Sequence, residues 1–307
     1  MKARIYKSTG SWYMAKAETG KMYNARIKGV FKIGGLTSTN PIAVGDEVDM
    51  QIEDVLEESA MIDTICDRKN YVARVSPHNK HQHHIIAANL DQSLLFATLK
   101  DPKTSQGFID RFLISCEAYH IPAIIVFNKS DLYKQKELDH FAHLQKIYSN
   151  IGYQVMLCSV EKNKGVEEIA ALLEGKTTLL SGHSGVGKST FINAVFPSLE
   201  LRTQEVSGWS GKGMHTTTFA EMFDLPTSGA IIDTPGIREL GLVDISKQEL
   251  SHYFPEMRAQ MGNCHFNNCM HIEEPGCAVK QALEAGAIAA DRYVSYLNIL
   301  TTMDAAH

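Results

Sequence analysis

No apolar run in the 307 residues approaches the roughly 18–20 residues that a membrane-spanning helix needs, so a helical membrane protein is excluded. The first residues, MKARIYKSTGSWYMAK, lack the apolar centre of a secretory leader, and a cytoplasmic location without membrane attachment is expected. Cysteine is scarce, and three of the six cysteines fall within fourteen residues. That distribution does not suit a disulfide-stapled secreted domain and points instead to free thiols plus a metal site. A positive excess is also missing: the net charge of -5 argues against a chain that coats nucleic acid through charge alone. There is no internal repeat and no low-complexity tract.

What is present is the composition of an ordinary globular protein, 44% hydrophobic and 21% charged. Single cores stop growing near roughly 250 residues, so the length predicts more than one domain. Charge is unevenly spread: residues 1–34 carry eight Lys or Arg and one acid, Glu18, whereas residues 45–67 carry nine Asp or Glu and no Lys or Arg.

Residues 1–70 read as short β segments (11–16, 22–27, 47–53, 60–65) separated by Gly, Asn and Pro turn signals, which predicts a small β-barrel. Residues 71–84, basic and bearing histidines, show little periodicity and read as a linker. From 85 to 245 apolar strands (93–99, 123–128, 154–159, 177–181, 218–224, 230–233) alternate with helices (108–119, 136–150, 166–173, 188–195). That alternation predicts an α/β domain, a parallel-type sheet with helices on both faces. In 246–307 the strands stop, and a cysteine-bearing loop lies between polar helical stretches.

The run Gly182-His183-Ser184-Gly185-Val186-Gly187-Lys188-Ser189, with Thr190 after it, fits G-x-x-x-x-G-K-[ST] between an apolar strand and a helix. Its glycines let backbone N–H groups wrap a phosphate, and the helix N-terminus adds positive potential. Lys188 is expected to reach the β- and γ-phosphates and Ser189 to ligate Mg²⁺. Asp233-Thr-Pro-Gly236 ends another apolar strand; Asp233 would hold the Mg²⁺ shell and Gly236 would offer its N–H to the γ-phosphate. Between them, one of Thr216, Thr217 and Thr218, with Thr217 preferred, should close over the Mg²⁺ and the γ-phosphate.

Asn128-Lys129-Ser130-Asp131 follows the strand AIIVF and turns the reading from nucleotide to guanine. A carboxylate at Asp131 can accept from guanine N1–H and its N2 amine, whereas adenine would leave it unpaired at a cost of several kcal/mol. Asn128 would buttress the loop, the Lys129 stem would pack over the ring, and Ser159 falls in the weaker base-side loop. In an ordinary G domain the phosphate loop comes first. Here the order is Asn128–Asp131, Ser159, Gly182–Ser189, Thr217, Asp233–Gly236, the same cycle cut after DTPG, as circular permutation permits when domain ends lie close together.

Cys264, Cys269, His271 and Cys277 form C-x₄-C-x-H-x₅-C, a Cys₃His set suited to one structural Zn²⁺, with His265 as the competing imidazole. With IAANLDQ (86–92), IDRFL (109–113), HTTT and a closing RYxxYL, the whole chain resembles the circularly permuted ribosome-assembly GTPases, the RsgA/YjeQ family.

The resemblance implies an N-terminal OB-fold RNA-binding barrel, a permuted P-loop GTPase domain and a C-terminal, mostly helical zinc domain. It also implies a GTP phosphohydrolase that binds the small (30S) ribosomal subunit and its 16S rRNA as a monomer. Such a protein assists late maturation, with hydrolysis to GDP stimulated by the subunit and coupled to release. Lys2, Arg4, Lys7, Lys16, Arg26 and Lys28 with Trp12, Tyr13 and Tyr23 are suitable for an RNA-binding groove, as are Arg68, Lys69, Arg74 and Lys80; each is equally suited to an ordinary solvated surface or barrel core.

The position after DTPG, where many GTPases carry a water-positioning glutamine, is Ile237, so hydrolysis needs another group. His215 is the candidate, assisted by Lys188 and Thr217, with Arg238 ranked below it and His183 read as structural. A nucleotide-switched rRNA-binding scaffold with negligible hydrolysis is the alternative.

Overall fold

The structure, a computed structural model, describes residues 1–27, 41–75, 83–199, 220–234 and 245–304. The chain opens with β1 (Lys2–Ser8), β2 (Tyr13–Ala17), β3 (Met22–Ile27), β4 (Glu47–Asp54) and β5 (Ser59–Ile65). Antiparallel β1–β2, β2–β3, β4–β5 and β1–β4 pairs and a parallel β3–β5 pair close these strands into a five-stranded barrel. Ala3, Ile5, Tyr13, Ala15, Val48, Met50, Ala60 and Ile62 fill it, at the alternate positions that one face of a strand presents. β1 was absent from the expected segments because its inward residues are only Ala3 and Ile5, set among charged neighbours.

The stretch read as a linker is partly a ladder: β6 (Tyr71–Val75) pairs antiparallel with β7 (His83–Ala88). Val72 and Ala73 are buried, and the Asn70 side chain brackets Leu90, donating to its carbonyl at 2.9 Å and accepting from its N–H at 2.8 Å. This order comes from partners distant in sequence, which local periodicity does not report.

The α/β domain contains β8 (Gln92–Ala97), α1 (Gln106–Ala118), β9 (Ala123–Phe127), α2 (Gln135–Asn150), β10 (Gln154–Leu157), α3 (Val166–Ala171), β11 (Thr177–Ser181), α4 (Lys188–Val195), β12 (Glu221–Asp224) and β13 (Ala230–Asp233). Its strand order is β10-β9-β8-β11-β13-β12, parallel except for β12. One apolar cluster carries Phe112 of α1 and Leu144 of α2, and a second carries Ile169 of α3 and Phe191 of α4, so helices cover both faces. β12 also pairs with β1 at Glu221↔Lys7, which runs barrel and domain into one sheet. Lys7 meets Glu221 at 2.9 Å, and Tyr6 and Lys16 both bond Asp224.

The C-terminal unit is built on α5 (Pro255–Arg258), α6 (Ala278–Glu284) and α7 (Ala290–Asp304). Its core of Leu250, Phe254, Met257, Val279, Ile288, Tyr296 and Ile299 includes Ile114 of α1. Beside it Arg292, 1% exposed, reaches Asp110 of α1 at 2.6 Å and Glu256 of α5 at 2.7 Å. Among the described residues no helix is long and apolar enough to cross a membrane.

Candidate functional site

The loop between β11 and α4 wraps tightly because two of its glycines occupy positions no other residue fits. Gly182 has φ +131°, and a Cβ there would lie 2.2 Å from the Phe96 carbonyl oxygen; Gly187 has φ +98°, and a Cβ there would lie 2.4 Å from Asn128 Nδ2. Lys188, the first residue of α4, turns its ammonium back over the loop and donates to the carbonyls of Gly182 (2.6 Å) and His183 (3.2 Å). Those carbonyls occupy the lysine where an anionic oxygen would draw it away. Burial lowers the Lys188 pKa, opposed by the Asp233 carboxylate, and burial raises that of Asp233, opposed by Lys188. β13 runs parallel to β11 with Asp233 beside Leu180, which puts the end of β13 at the phosphate loop. Ser189 is half-buried in the first turn of α4 and Thr190 is exposed. Ser189 and Asp233 are oxygen donors beside a cationic loop, a fit to a phosphate-bound Mg²⁺.

Asn128 ends β9 and is 2% exposed. Its Nδ2 donates to the Val186 carbonyl at 2.9 Å, while its Oδ1 accepts from Val160 N–H at 3.2 Å and from the Cys158 thiol at 3.3 Å. One amide thus ties the phosphate loop to both base-side segments. Burial pushes Cys158 up to about 12, so the thiol keeps the proton it donates. Lys129 sits in the left-handed region at φ +63° and donates to the Asp101 carbonyl at 2.6 Å. Asp131 is exposed and accepts from the Ser159 hydroxyl, leaving carboxylate lone pairs open to solvent where a base would dock.

Three residues that support this site, Tyr133, Asp101 and Phe108, have no sequence signature. Tyr133 OH donates to the Asn128 carbonyl (2.6 Å) and accepts from Leu99 N–H (2.9 Å). The Asp101 carbonyl fixes Lys129, and Phe108 of α1 stacks on His183 with ring centroids 3.9 Å apart. His215, Thr216, Thr217, Thr218, Gly236, Ile237 and Arg238 lie outside the described residues, so the water-positioning and switch assignments have no geometry here.

The second centre joins Cys264, Cys269, His271 and Cys277, whose ligand atoms all lie within 4.8 Å of one another. His271 Nδ1 stands 3.7 Å from Cys264 Sγ and 3.4 Å from Cys277 Sγ. A tetrahedral zinc with bonds of about 2.0–2.3 Å puts its donors roughly 3.3–3.8 Å apart, a range that both His271 separations meet. His265 stands outside it. Burial, with the neighbouring thiols, pushes Cys269 up to about 12, and burial lowers His271, favouring the neutral imidazole that a metal requires. The loop is held by Tyr293 and Tyr296 of α7, whose hydroxyls donate to the carbonyls of His271 (2.6 Å) and Met270 (2.7 Å). Glu274 accepts from the N–H groups of Met270, Ile272 and Glu273.

The basic residues of the barrel are mostly engaged. Arg4 pairs with Glu47, Lys7 with Glu221, Lys16 with Asp224, Arg26 with Glu53, and Lys69 with Asp91. Arg68 bonds the fully buried Asp46 at 2.6 Å and the Pro41 carbonyl, a structural tie at the barrel's end. Tyr13 and Tyr23 belong to the barrel core, whereas Trp12 is exposed. Lys28 and Lys80 lie outside the described residues.

Two family models match the chain: RsgA N-terminal domain over residues 2–60 and RsgA GTPase over residues 65–243. The chain is 55% identical to the small ribosomal subunit biogenesis GTPase RsgA of Cytophaga hutchinsonii, covering 99% of both chains. It is 50% identical to the protein of the same name from Christiangramia forsetii, covering 98% of this chain and 96% of the relative. Among solved structures it resembles YjeQ from Thermotoga maritima (TM-score 0.78, 32% identity, 98% and 97% of the two chains). It also resembles YloQ, a circularly permuted GTPase (TM-score 0.75, 30% identity, 100% and 96% of the two chains). A closed barrel, a permuted phosphate-loop domain whose guanine-type reader is wired to that loop, and likeness along the full length lead to one conclusion: the chain belongs to the RsgA GTPase family.

Proposed function

We propose that this protein binds the small ribosomal subunit, assists its late maturation, and hydrolyses GTP to GDP and phosphate under stimulation by the subunit, with release following hydrolysis. The observation that carries this reading is Asn128, whose amide links the guanine-type reader to the phosphate loop in a family whose relatives are named small ribosomal subunit biogenesis GTPases. Asp131 selects guanine through two accepted hydrogen bonds, and Lys129 packs over the ring. The N–H groups of Gly182–Thr190 and the Lys188 ammonium bind the phosphates, with Lys188 exchanging its two carbonyl partners for phosphate oxygens. Mg²⁺, held by Ser189, Thr217 and Asp233, would neutralise charge on the β- and γ-phosphate oxygens. His215 positions the attacking water, and Gly236 senses the γ-phosphate. Cys264, Cys269, His271 and Cys277 hold one zinc in a closed, structural set. The protein acts in the cytoplasm as a monomer and contacts 16S rRNA, with the exposed Trp12 as a stacking residue on the barrel.

The test is co-sedimentation with purified small and large subunits in GDP and in a non-hydrolysable GTP analogue. Preferential sedimentation with the small subunit in the GTP form is expected. Equal binding to both subunits, or none, overturns the reading.

A further inference from the structure

The far end of the β4–β5 hairpin has a chemistry unlike the rest of the barrel. Ile52, Val55 and Leu56 are 40%, 63% and 92% exposed, three aliphatic side chains within five residues and none of them covered. The turn that carries them is built. Asp54 Oδ1 accepts from the N–H groups of Leu56 (2.8 Å) and Glu57 (3.2 Å), and the Glu58 carbonyl accepts from Asn24 N–H at 2.9 Å. The backbone that presents Leu56 is therefore held in place, and its side chain stands free in solvent. Four carboxylates surround it, Glu53, Asp54, Glu57 and Glu58, against two cations, Arg26 on Glu53 and Lys21 on Glu58. The tip is apolar at its summit and net negative around its rim.

This combination repels a phosphate backbone and offers an anchor to a cationic surface with an apolar recess. We propose that the β4–β5 hairpin is a protein-docking knob: Leu56 inserts into an apolar pocket rimmed by Lys or Arg on a protein component of the small subunit. The inference rests on the proposed binding to the small subunit. The tip lies within residues 45–67, which carry nine Asp or Glu and no Lys or Arg.

The test places a benzophenone amino acid at position 56 and irradiates the full-length protein bound to purified small subunits in a non-hydrolysable GTP analogue. The expected product is a single protein–protein adduct that protease destroys and RNase leaves intact. An RNA adduct, or no adduct from a bound protein, overturns the proposal.

Leu56 is 92% exposed, so Leu56→Asp should fold normally. It should weaken co-sedimentation with small subunits by about tenfold, the effect of losing one buried aliphatic anchor, while Leu56→Met should stay within about twofold. Neither change should alter GDP affinity. Unchanged sedimentation of Leu56→Asp also overturns the proposal. Failure of the unmodified protein to bind small subunits at all would instead refute the proposed function, which keeps the two failures apart.

Discussion

Asn128 shows how much of this site rests on a single side chain. Its amide donates to Val186 and accepts from Val160 and Cys158, so the guanine-type reader and the phosphate loop are set in register before any nucleotide arrives. Asp131 at the mouth of the same loop is exposed and accepts from the Ser159 hydroxyl, which leaves carboxylate lone pairs facing solvent. Asp131→Ala should weaken GDP binding by about 3 kcal/mol, roughly a hundredfold, because two charge-assisted hydrogen bonds are lost. Competition against a fluorescent GDP measures it, and unlabelled ATP should compete poorly against the unmodified protein. The motif residues were legible in the sequence because each is a short local signal whose chemistry follows from residue type. Tyr133, Asp101 and Phe108, which hold Asn128, Lys129 and His183, were not, since their roles arise from backbone atoms and rings brought together only by the fold.

At the scale of elements, α1 joins the α/β domain to the C-terminal unit. Ile114 enters the C-terminal core, and Asp110 meets Arg292 of α7, which also holds Glu256 of α5. Asp110 and Arg292 belong to IDRFL and RYxxYL, two motifs legible as strings but not as partners, because their 182-residue separation hides the contact. Arg292→Ala leaves two buried carboxylates without a cation and should cost about 3–5 kcal/mol of stability in denaturant unfolding. Replacing all three charges together with apolar residues of similar volume should cost much less.

The metal loop carries its own pH dependence. Burial disfavours the ionised Glu274, yet backbone N–H donors outweigh it and hold the carboxyl below its ordinary range. Its contribution is present above the unfolded value near 4.3 and is lost as pH falls through the lower folded value. Protection factors for amide exchange at Met270, Ile272 and Glu273, taken relative to the intrinsic rate at each pH, should therefore fall on acidification below about pH 4. Glu274→Gln should abolish that step.

Across the whole molecule, the permutation sets which units are neighbours. The chain leaves the phosphate site through Asp233 and passes into the Cys₃His unit, while β12, which precedes β13, hydrogen-bonds the barrel through Glu221↔Lys7. Sheet and helices were legible because apolar runs alternate with amphipathic ones. β1 and β6 were not, because their order comes from long-range pairing and few strongly apolar residues. Metal analysis should find one zinc per chain, lost in Cys269→Ser, and chelation should raise the protease sensitivity of residues 245–304 while β8–β11 stay protected.

Ile237 stands where many GTPases carry a water-positioning glutamine, so a partner is expected to complete the site. Multiple-turnover GTP hydrolysis, measured alone, with large subunits and with small subunits, tests it most directly. The predicted result is slow intrinsic turnover that rises at least about tenfold with small subunits only, since completing such a site with a partner is worth orders of magnitude. Turnover that is the same in all three conditions would contradict the account.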